Sequence, residues 1–212
     1  MPADLPSHAS VVVIGGGIMG CSTLYHLARM GVTDAILLER DKLTSGTTWH
    51  SAAQVRALRS SRNLTRMIQY SVALYAALEE ETGQSVGWIQ KGSLSIATNP
   101  GRLDHIRRQE ALAHAFGVNA QAVSAAEAQE RWPLMNADDV IGAVWSPDDG
   151  RVSPSDVCAA LVKGARAQGA QIHEDTPVTG IATEGGRIKA VKTARGTVRC
   201  DAVALCAGLW SR

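Results

Sequence analysis

Apolar and polar positions along this chain change rhythm twice, and each change marks a change of architecture. Near the start, Val11-Val12-Val13-Ile14 is an unbroken apolar run of strand length. It leads directly into Gly15-Gly16-Gly17-Ile18-Met19-Gly20, after which helical spacing continues to about Met30. A second apolar run, Ala35-Ile36-Leu37-Leu38, ends in Glu39 and gives way to a polar, glycine-containing loop over 40–51. From about 63 to 81, Leu64, Met67, Ile68, Val72, Tyr75 and Leu78 fall at helical spacing, which predicts a helix burying that face.

The texture then shifts. Residues 87–98 read as strand, in the pieces Trp88-Ile89-Gln90 and Ser93-Leu94-Ser95-Ile96-Ala97, before a polar helix over about 102–116. Ser124-Ala125-Ala126-Glu127 is a capping-box sequence opening a short helix, and Pro133 ends it. Another strand is predicted over 140–145, closed by the turn residues Pro147-Asp148-Asp149-Gly150. Alternating helix and strand return at Ser153-Pro154-Ser155-Asp156, with Ser153 the expected cap, Pro154 the first helical residue and Asp156 completing the box. Gly169 stops that helix. Strands follow near 170–174, 178–183, 188–193 and 197–199, the later ones joined through Gly185-Gly186 and Arg195-Gly196; the last is Ala202-Val203-Ala204-Leu205-Cys206.

Candidate chemistry starts at the glycine turn. In a strand–G-x-G-x-x-G–helix unit, Gly15 permits the tight turn, Gly17 lets the backbone approach phosphates, and Gly20 lets helix and strand pack closely. The amides of Ile18 and Met19 belong to the unpaired N–H groups at the positive end of the helix, which favours an anion there. Glu39 lies 24 positions after Gly15, close to the roughly 20 expected of the acid that binds adenosine ribose hydroxyls. A carboxylate there repels a 2′-phosphate and argues against NADP. The second half favours FAD over a nicotinamide cofactor, because its strands are joined by glycine turns too short for crossover helices and so form an antiparallel meander. The expected class is therefore α/β. Residues 1–85 and 151–212 form an FAD-binding, Rossmann-like parallel sheet carrying that meander, and 86–150 form part of an α+β substrate domain.

Composition narrows the setting. With 21 basic and 20 acidic residues the formal charge is +1, which offers no general attraction to nucleic acid or an anionic membrane, so neither is expected as a partner. Cys21, Cys158, Cys200 and Cys206 form no C-x-x-C pair and sit among apolar or small residues, as reduced thiols in a cytoplasm do. No metal site is implied. No leader or organelle-import pattern is expected in the residues before the first strand, and no apolar run approaches the roughly 20 residues of a membrane span.

The segment Leu43-Thr44-Ser45-Gly46-Thr47-Thr48-Trp49-His50 carries more specific information, together with Glu79-Glu80-Glu81-Thr82-Gly83, Gly87-Trp88-Ile89-Gln90, Pro133-Leu134-Met135-Asn136 and Cys206-Ala207-Gly208-Leu209-Trp210. These residues resemble the sarcosine and dimethylglycine dehydrogenase family of glycine-oxidase-like flavoproteins, and the resemblance covers essentially the whole chain. It implies that His50 is joined covalently to the 8α carbon of FAD, a role for which a neutral imidazole is a competent nucleophile. The competing reading of His50 is a solvent-facing loop histidine, and the motif around it favours attachment. Ser45, Thr47 and Thr48, with loop amides, are expected at the phosphates or ribityl chain. Arg40 is expected at the ribose or pyrophosphate, the Val178 backbone at the adenine edge, and Gly208 where the final strand nears the dinucleotide. Arg56, Arg59, Arg62 and Arg66 are weaker candidates for a substrate carboxylate, since their spacing also describes an exposed helix face.

One position departs from the family pattern. After T-W-H the family commonly has a small residue, then Ala-Gly and an apolar residue, whereas this chain reads Ser51-Ala52-Ala53-Gln54. The resemblance further implies that family members continue past the C-A-G-x-W segment, so the chain is expected to be the N-terminal portion of a longer enzyme. That enzyme would oxidatively demethylate a small N-methyl amine such as sarcosine or dimethylglycine. Electrons would pass to an electron-transfer flavoprotein or to oxygen, and tetrahydrofolate is a further cofactor of the longer members. Two alternatives remain open: an amine or amino-acid oxidase using oxygen, and a non-catalytic regulatory relative of the same fold.

Overall fold

The computed structural model describes residues 4–211. In chain order its elements are β1 (His8–Ile14), α1 (Ile18–Arg29), β2 (Ile36–Leu38), β3 (Gln54–Val55), α2 (Arg62–Thr82), β4 (Ser93–Ala97), α3 (Pro100–Ala115), β5 (Gln121–Val123), α4 (Ala125–Arg131), β6 (Gly142–Ser146), β7 (Gly150–Arg151), α5 (Pro154–Ala167), β8 (Gln171–His173), β9 (Val178–Glu184), β10 (Arg187–Thr193) and β11 (Gly196–Leu205). Contacts divide the chain into one unit of 1–53, 77–87 and 153–212 and another of 54–76 and 88–152. The 54–76 stretch, read from sequence with the first segment, contributes Ala57 to a buried cluster of the second unit with Ala97, Ile106 and Val144.

The first unit is built on a six-stranded sheet in the order β8-β2-β1-β11-β10-β9. β8, β2, β1 and β11 run parallel, with Val11 opposite Ala202 and Ile14 opposite Leu205, while β9, β10 and the start of β11 form the antiparallel meander. The two last strands expected from sequence are one continuous β11. Its first residues, 196–199, pair with β10, and among the described residues its later ones pair with β1. Ala9, Val12, Ile36, Leu38, Val191, Val198 and Cys200 form the core beneath the sheet. Across it α1 lies on α5, close enough that a Cβ at Gly164 would come within 2.7 Å of the Tyr25 ring. Leu24, Tyr25 and Leu161 are fully buried in this layer, and each such side chain contributes about 1.5–3 kcal/mol.

The second unit holds an antiparallel sheet in the order β4-β6-β5 and the short ladder β3-β7. Asp149, in the turn before β7, is 3% exposed and organises the unit: it accepts the Ala57 amide at 2.8 Å and the Ser93 hydroxyl at 2.6 Å, with Arg56 Nε at 3.6 Å. Ser124 and Glu127 close the expected capping box. α3 starts earlier than its periodicity suggests, because the Asn99 side chain caps it and Pro100 takes the first turn.

Three local expectations fail. Ser153 stands at the cap of α5, but its side chain makes no capping bond. Residues 88–90 form only a bridge from Ile89 to Arg151 rather than a strand. On α2, Leu64 and Met67 are exposed while Thr65 is fully buried, because the Thr65 hydroxyl is bonded to both the amide and the carbonyl of Arg59 and turns that end of the helix inward at Thr65.

Candidate functional site

The turn between β1 and α1 is a tight backbone crossing. Gly15 has φ +111°, where a side chain is strained, and a Cβ there would sit 2.5 Å from the Cys206 carbonyl at the end of β11. A Cβ at Gly20 would strike the Gly15 carbonyl itself. These two glycines therefore let β1, α1 and the end of β11 meet.

Gly16 had no role in the sequence pattern, yet it is the most connected residue of the turn. Its amide donates to Glu39 Oε2 at 2.5 Å, and its carbonyl accepts the Thr44 amide at 2.9 Å. A Cβ there would meet Leu43 at 2.7 Å and Glu39 at 3.0 Å. Glu39 is 8% exposed, and its other oxygen accepts the Asp41 amide at 3.0 Å. Nothing in the motif spacing marks Gly16; only the chain folded back from β2, which brings Leu43 and Glu39 against it, calls for glycine there.

The first turn of α1 carries no acidic residue, so the positive end of the helix meets a carboxylate only through Glu39 at Gly16. The Ile18 amide donates to Thr48 Oγ1 at 3.0 Å, and that oxygen lies 3.0 Å from where a Gly17 Cβ would be. Met19 is exposed at the same end. The loop supplying Thr48 ends in a helical turn, Thr48–His50. His50 Nδ1 is 3.1 Å from the Gly46 carbonyl, and the Trp49 and His50 rings lie 4.0 Å apart at 37°. A carbonyl only accepts, so Nδ1 carries the proton and the lone pair of neutral His50 is on Nε2. Thr44 and Ala53 hold left-handed backbone at φ +67° and +63°.

The other expected residues are spread around this centre. Ser45 and Thr47 are exposed on the same loop. The Arg40 guanidinium lies over the Trp210 ring, 4.1 Å from its centroid, and Trp210 also covers Gly46. Gly208 opens the final turn, Gly208–Trp210, at φ +60° with no atom within 4 Å of its Cβ position, so it is conformation rather than close approach that calls for glycine. Val178 begins β9 opposite Thr193, packed against the sheet core. Of the arginines, Arg56 is held by Ser95 and Asp149, Arg59 by the Leu58 carbonyl and Arg62 by the Ala115 carbonyl.

The donor set fits a dinucleotide: helix-terminal amides for a diphosphate, a buried carboxylate within reach of the turn for ribose hydroxyls, and a glycine crossing that any side chain would fill. All four cysteines are free thiols. Among the described residues no group of His, Cys, Asp and Glu is placed to hold a metal ion, and no helix is long and apolar enough to cross a membrane.

Comparison with known proteins agrees with this geometry. Residues 10–212 match the family model described as FAD dependent oxidoreductase. Human mitochondrial sarcosine dehydrogenase is 46% identical over 98% of this chain and 23% of its own length. Mitochondrial dimethylglycine dehydrogenase of Rattus norvegicus is 36% identical over 100% of this chain and 25% of its own. The chain thus spans about a quarter of these curated relatives. Among solved structures, L-proline dehydrogenase from P. horikoshii superposes with a TM-score of 0.92 at 30% identity, covering 98% of this chain and 55% of that one.

Proposed function

The chain belongs to the FAD dependent oxidoreductase family, and from that premise we propose that it forms the dinucleotide-binding part of an enzyme that oxidises the CH–NH bond of a small N-methyl amine or amino acid of the sarcosine or dimethylglycine class. The observation that carries this reading is the seating of the turn Thr48–His50 on the N-terminus of α1 through the 3.0 Å bond from Ile18 to Thr48. An identity of 46% to a sarcosine dehydrogenase supports the substrate class.

In this reading the amides of Ile18 and Met19 hold the diphosphate over Gly15, Gly17 and Gly20, and Glu39 takes the adenosine ribose hydroxyls. Arg40, steadied on Trp210, adds a cation beside them. Ser45 and Thr47 offer hydroxyls to the phosphates or ribityl chain, and Thr48 stands at the helix end itself. Val178 presents its backbone to the adenine edge, and Gly208 shapes the turn that follows β11. His50 is the point of covalent attachment, with Nε2 free because Gly46 fixes the proton on Nδ1. When bound, FAD supplies a two-electron acceptor for a hydride equivalent leaving the amine carbon; the electrons then pass to an electron-transfer flavoprotein or oxygen, and tetrahydrofolate would take the one-carbon unit. Free, mostly buried thiols suit a reducing compartment such as the cytoplasm.

The test is made on the full-length protein. Acid-denatured protein should stay yellow and carry FAD mass on a peptide containing His50, and His50→Ala should abolish the linkage while leaving non-covalent flavin. Sarcosine or dimethylglycine should bleach the flavin absorbance without oxygen. Complete release of flavin on denaturation would remove the attachment role of His50, and no bleaching by either amine would remove the substrate class.

A further inference from the structure

The loop after β2 is fastened along its length to the connection between β8 and β9. The Glu39 amide donates to the His173 carbonyl at 2.9 Å, the Glu39 carbonyl accepts the Thr176 amide at 2.8 Å, and the Asp175 amide donates to the Asp41 carbonyl at 3.1 Å. The last fastening is made by a side chain: Glu174 Oε1 accepts the Leu43 amide at 2.7 Å. The backbone of Glu174 is itself held, because the fully buried Thr176 donates its hydroxyl to the Glu174 carbonyl at 2.8 Å and accepts Arg195 Nη1 at 2.7 Å. Lys42 Nζ lies 2.6 Å from Asp175 and 3.7 Å from Glu174, but the Lys42 and Asp175 side chains are 63% and 64% exposed, so that ion pair is worth little. Backbone strain marks the same two segments: among the described residues, Thr44 at φ +67° and Asp175 at φ +50° are two of the three residues other than glycine in the left-handed region. Such conformations persist where the surrounding bonds over-determine them.

We infer that Glu174 is a positioning residue for the dinucleotide turn: its carboxylate holds the Leu43 amide, and through Leu43 and Thr44 it fixes the packing and the carbonyl partner of Gly16. This rests on the FAD reading above and names a residue that sets the affinity of that site without touching the cofactor. The Leu43 side chain lies 2.7 Å from where a Gly16 Cβ would be, and the next residue, Thr44, gives its amide to the Gly16 carbonyl at 2.9 Å. The Gly16 amide goes to Glu39. Glu174 and Glu39 therefore converge on one glycine from opposite sides, the first through main chain and the second directly. An ionised oxygen accepts a hydrogen bond roughly twice as strong as a neutral one does, which suits a single bond that must keep Thr44 left-handed. Without it Thr44 relaxes, its amide leaves the Gly16 carbonyl, and the turn loses one of its two fixed ends.

The experiment titrates ADP into full-length protein produced without flavin. Glu174→Ala should weaken ADP binding by about 5- to 20-fold, the worth of a hydrogen bond to a charged group. Glu174→Gln, whose amide oxygen still accepts from Leu43, should stay within about 3-fold of wild type, and Lys42→Ala should match wild type. Glu174→Asp keeps the charge but draws the oxygen back by one methylene; it should also lose affinity, and it replaces Glu174→Ala if that variant does not fold. Because Glu174 and Glu39 act on the same glycine, the double variant Glu174→Ala/Glu39→Gln should lose less than the product of the two single losses. A fall in the unfolding midpoint of Glu174→Ala with ADP affinity unchanged would make the residue merely structural, and multiplicative losses would separate it from Gly16. An equal loss in Lys42→Ala would assign the effect to the ion pair. Each of these overturns the positioning role. Failure of every form, wild type included, to bind ADP or FAD would instead overturn the dinucleotide reading itself.

Discussion

The Glu39 carboxylate holds the Gly16 amide at 2.5 Å, so the acid at the end of β2 and the glycine turn after β1 form one rigid piece. In the proposed function its remaining lone pairs accept from the ribose hydroxyls. Glu39→Gln keeps an oxygen for Gly16 and removes the charge, and should weaken FAD binding about 10- to 100-fold, the worth of a charge-assisted hydrogen bond. Titration of protein made without flavin measures this. Addition of NADH or NADPH should raise the unfolding midpoint far less than FAD does; equal protection would contradict the choice of dinucleotide.

Ala53 holds φ +63°, a conformation costing a residue with a side chain about 1–2 kcal/mol. Ala53→Gly removes that strain and adds about 0.5–1 kcal/mol of unfolded-state entropy. The net expectation is a gain of roughly 0.5–1 kcal/mol in denaturant unfolding, and a loss would show that the methyl group is favourably packed. The family pattern, which commonly has glycine here, points the same way.

Tyr25 donates to Glu81 at 2.5 Å, and its pKa is pushed up to about 12 by burial, then by the Glu81 carboxylate. An unfolded tyrosine titrates near 10, so the contribution is intact below pH 10 and is lost as pH rises toward 12. Wild-type stability should fall through that window by roughly 1–2 kcal/mol more than that of Tyr25→Phe. Parallel slopes for the two proteins would remove Tyr25 from the alkaline limb.

Removing the Asp149 carboxylate orphans the buried Ala57 amide and the Ser93 hydroxyl together. Asp149→Ala should cost about 2–4 kcal/mol, and Asp149→Asn, which keeps an acceptor, clearly less. Denaturant unfolding of both variants tests this; equal effects would mean that the charge beside Arg56, rather than the acceptors, is what matters.

What the sequence determined by itself lies in short stretches. The apolar run at 11–14, the glycine turn, helix α1, the Ser124 capping box and the glycine-joined meander are each specified by neighbouring residues, because turn chemistry, capping and periodicity act over a few positions. Resemblance over the whole chain identified the flavoprotein family in the same way, through the T-W-H and C-A-G-x-W segments. Tertiary structure alone decided the rest. Gly16 matters because the chain returns from β2 and packs Leu43 against it, Thr48 reaches the end of α1 because Gly17 leaves room, and Trp210 meets Arg40 because β11 lies beside β1. The buried face of α2 is set in part by Thr65 bonding to Arg59, against the apolar pattern of Leu64 and Met67. Each of these depends on which backbone groups a distant segment satisfies, and local periodicity carries no record of that.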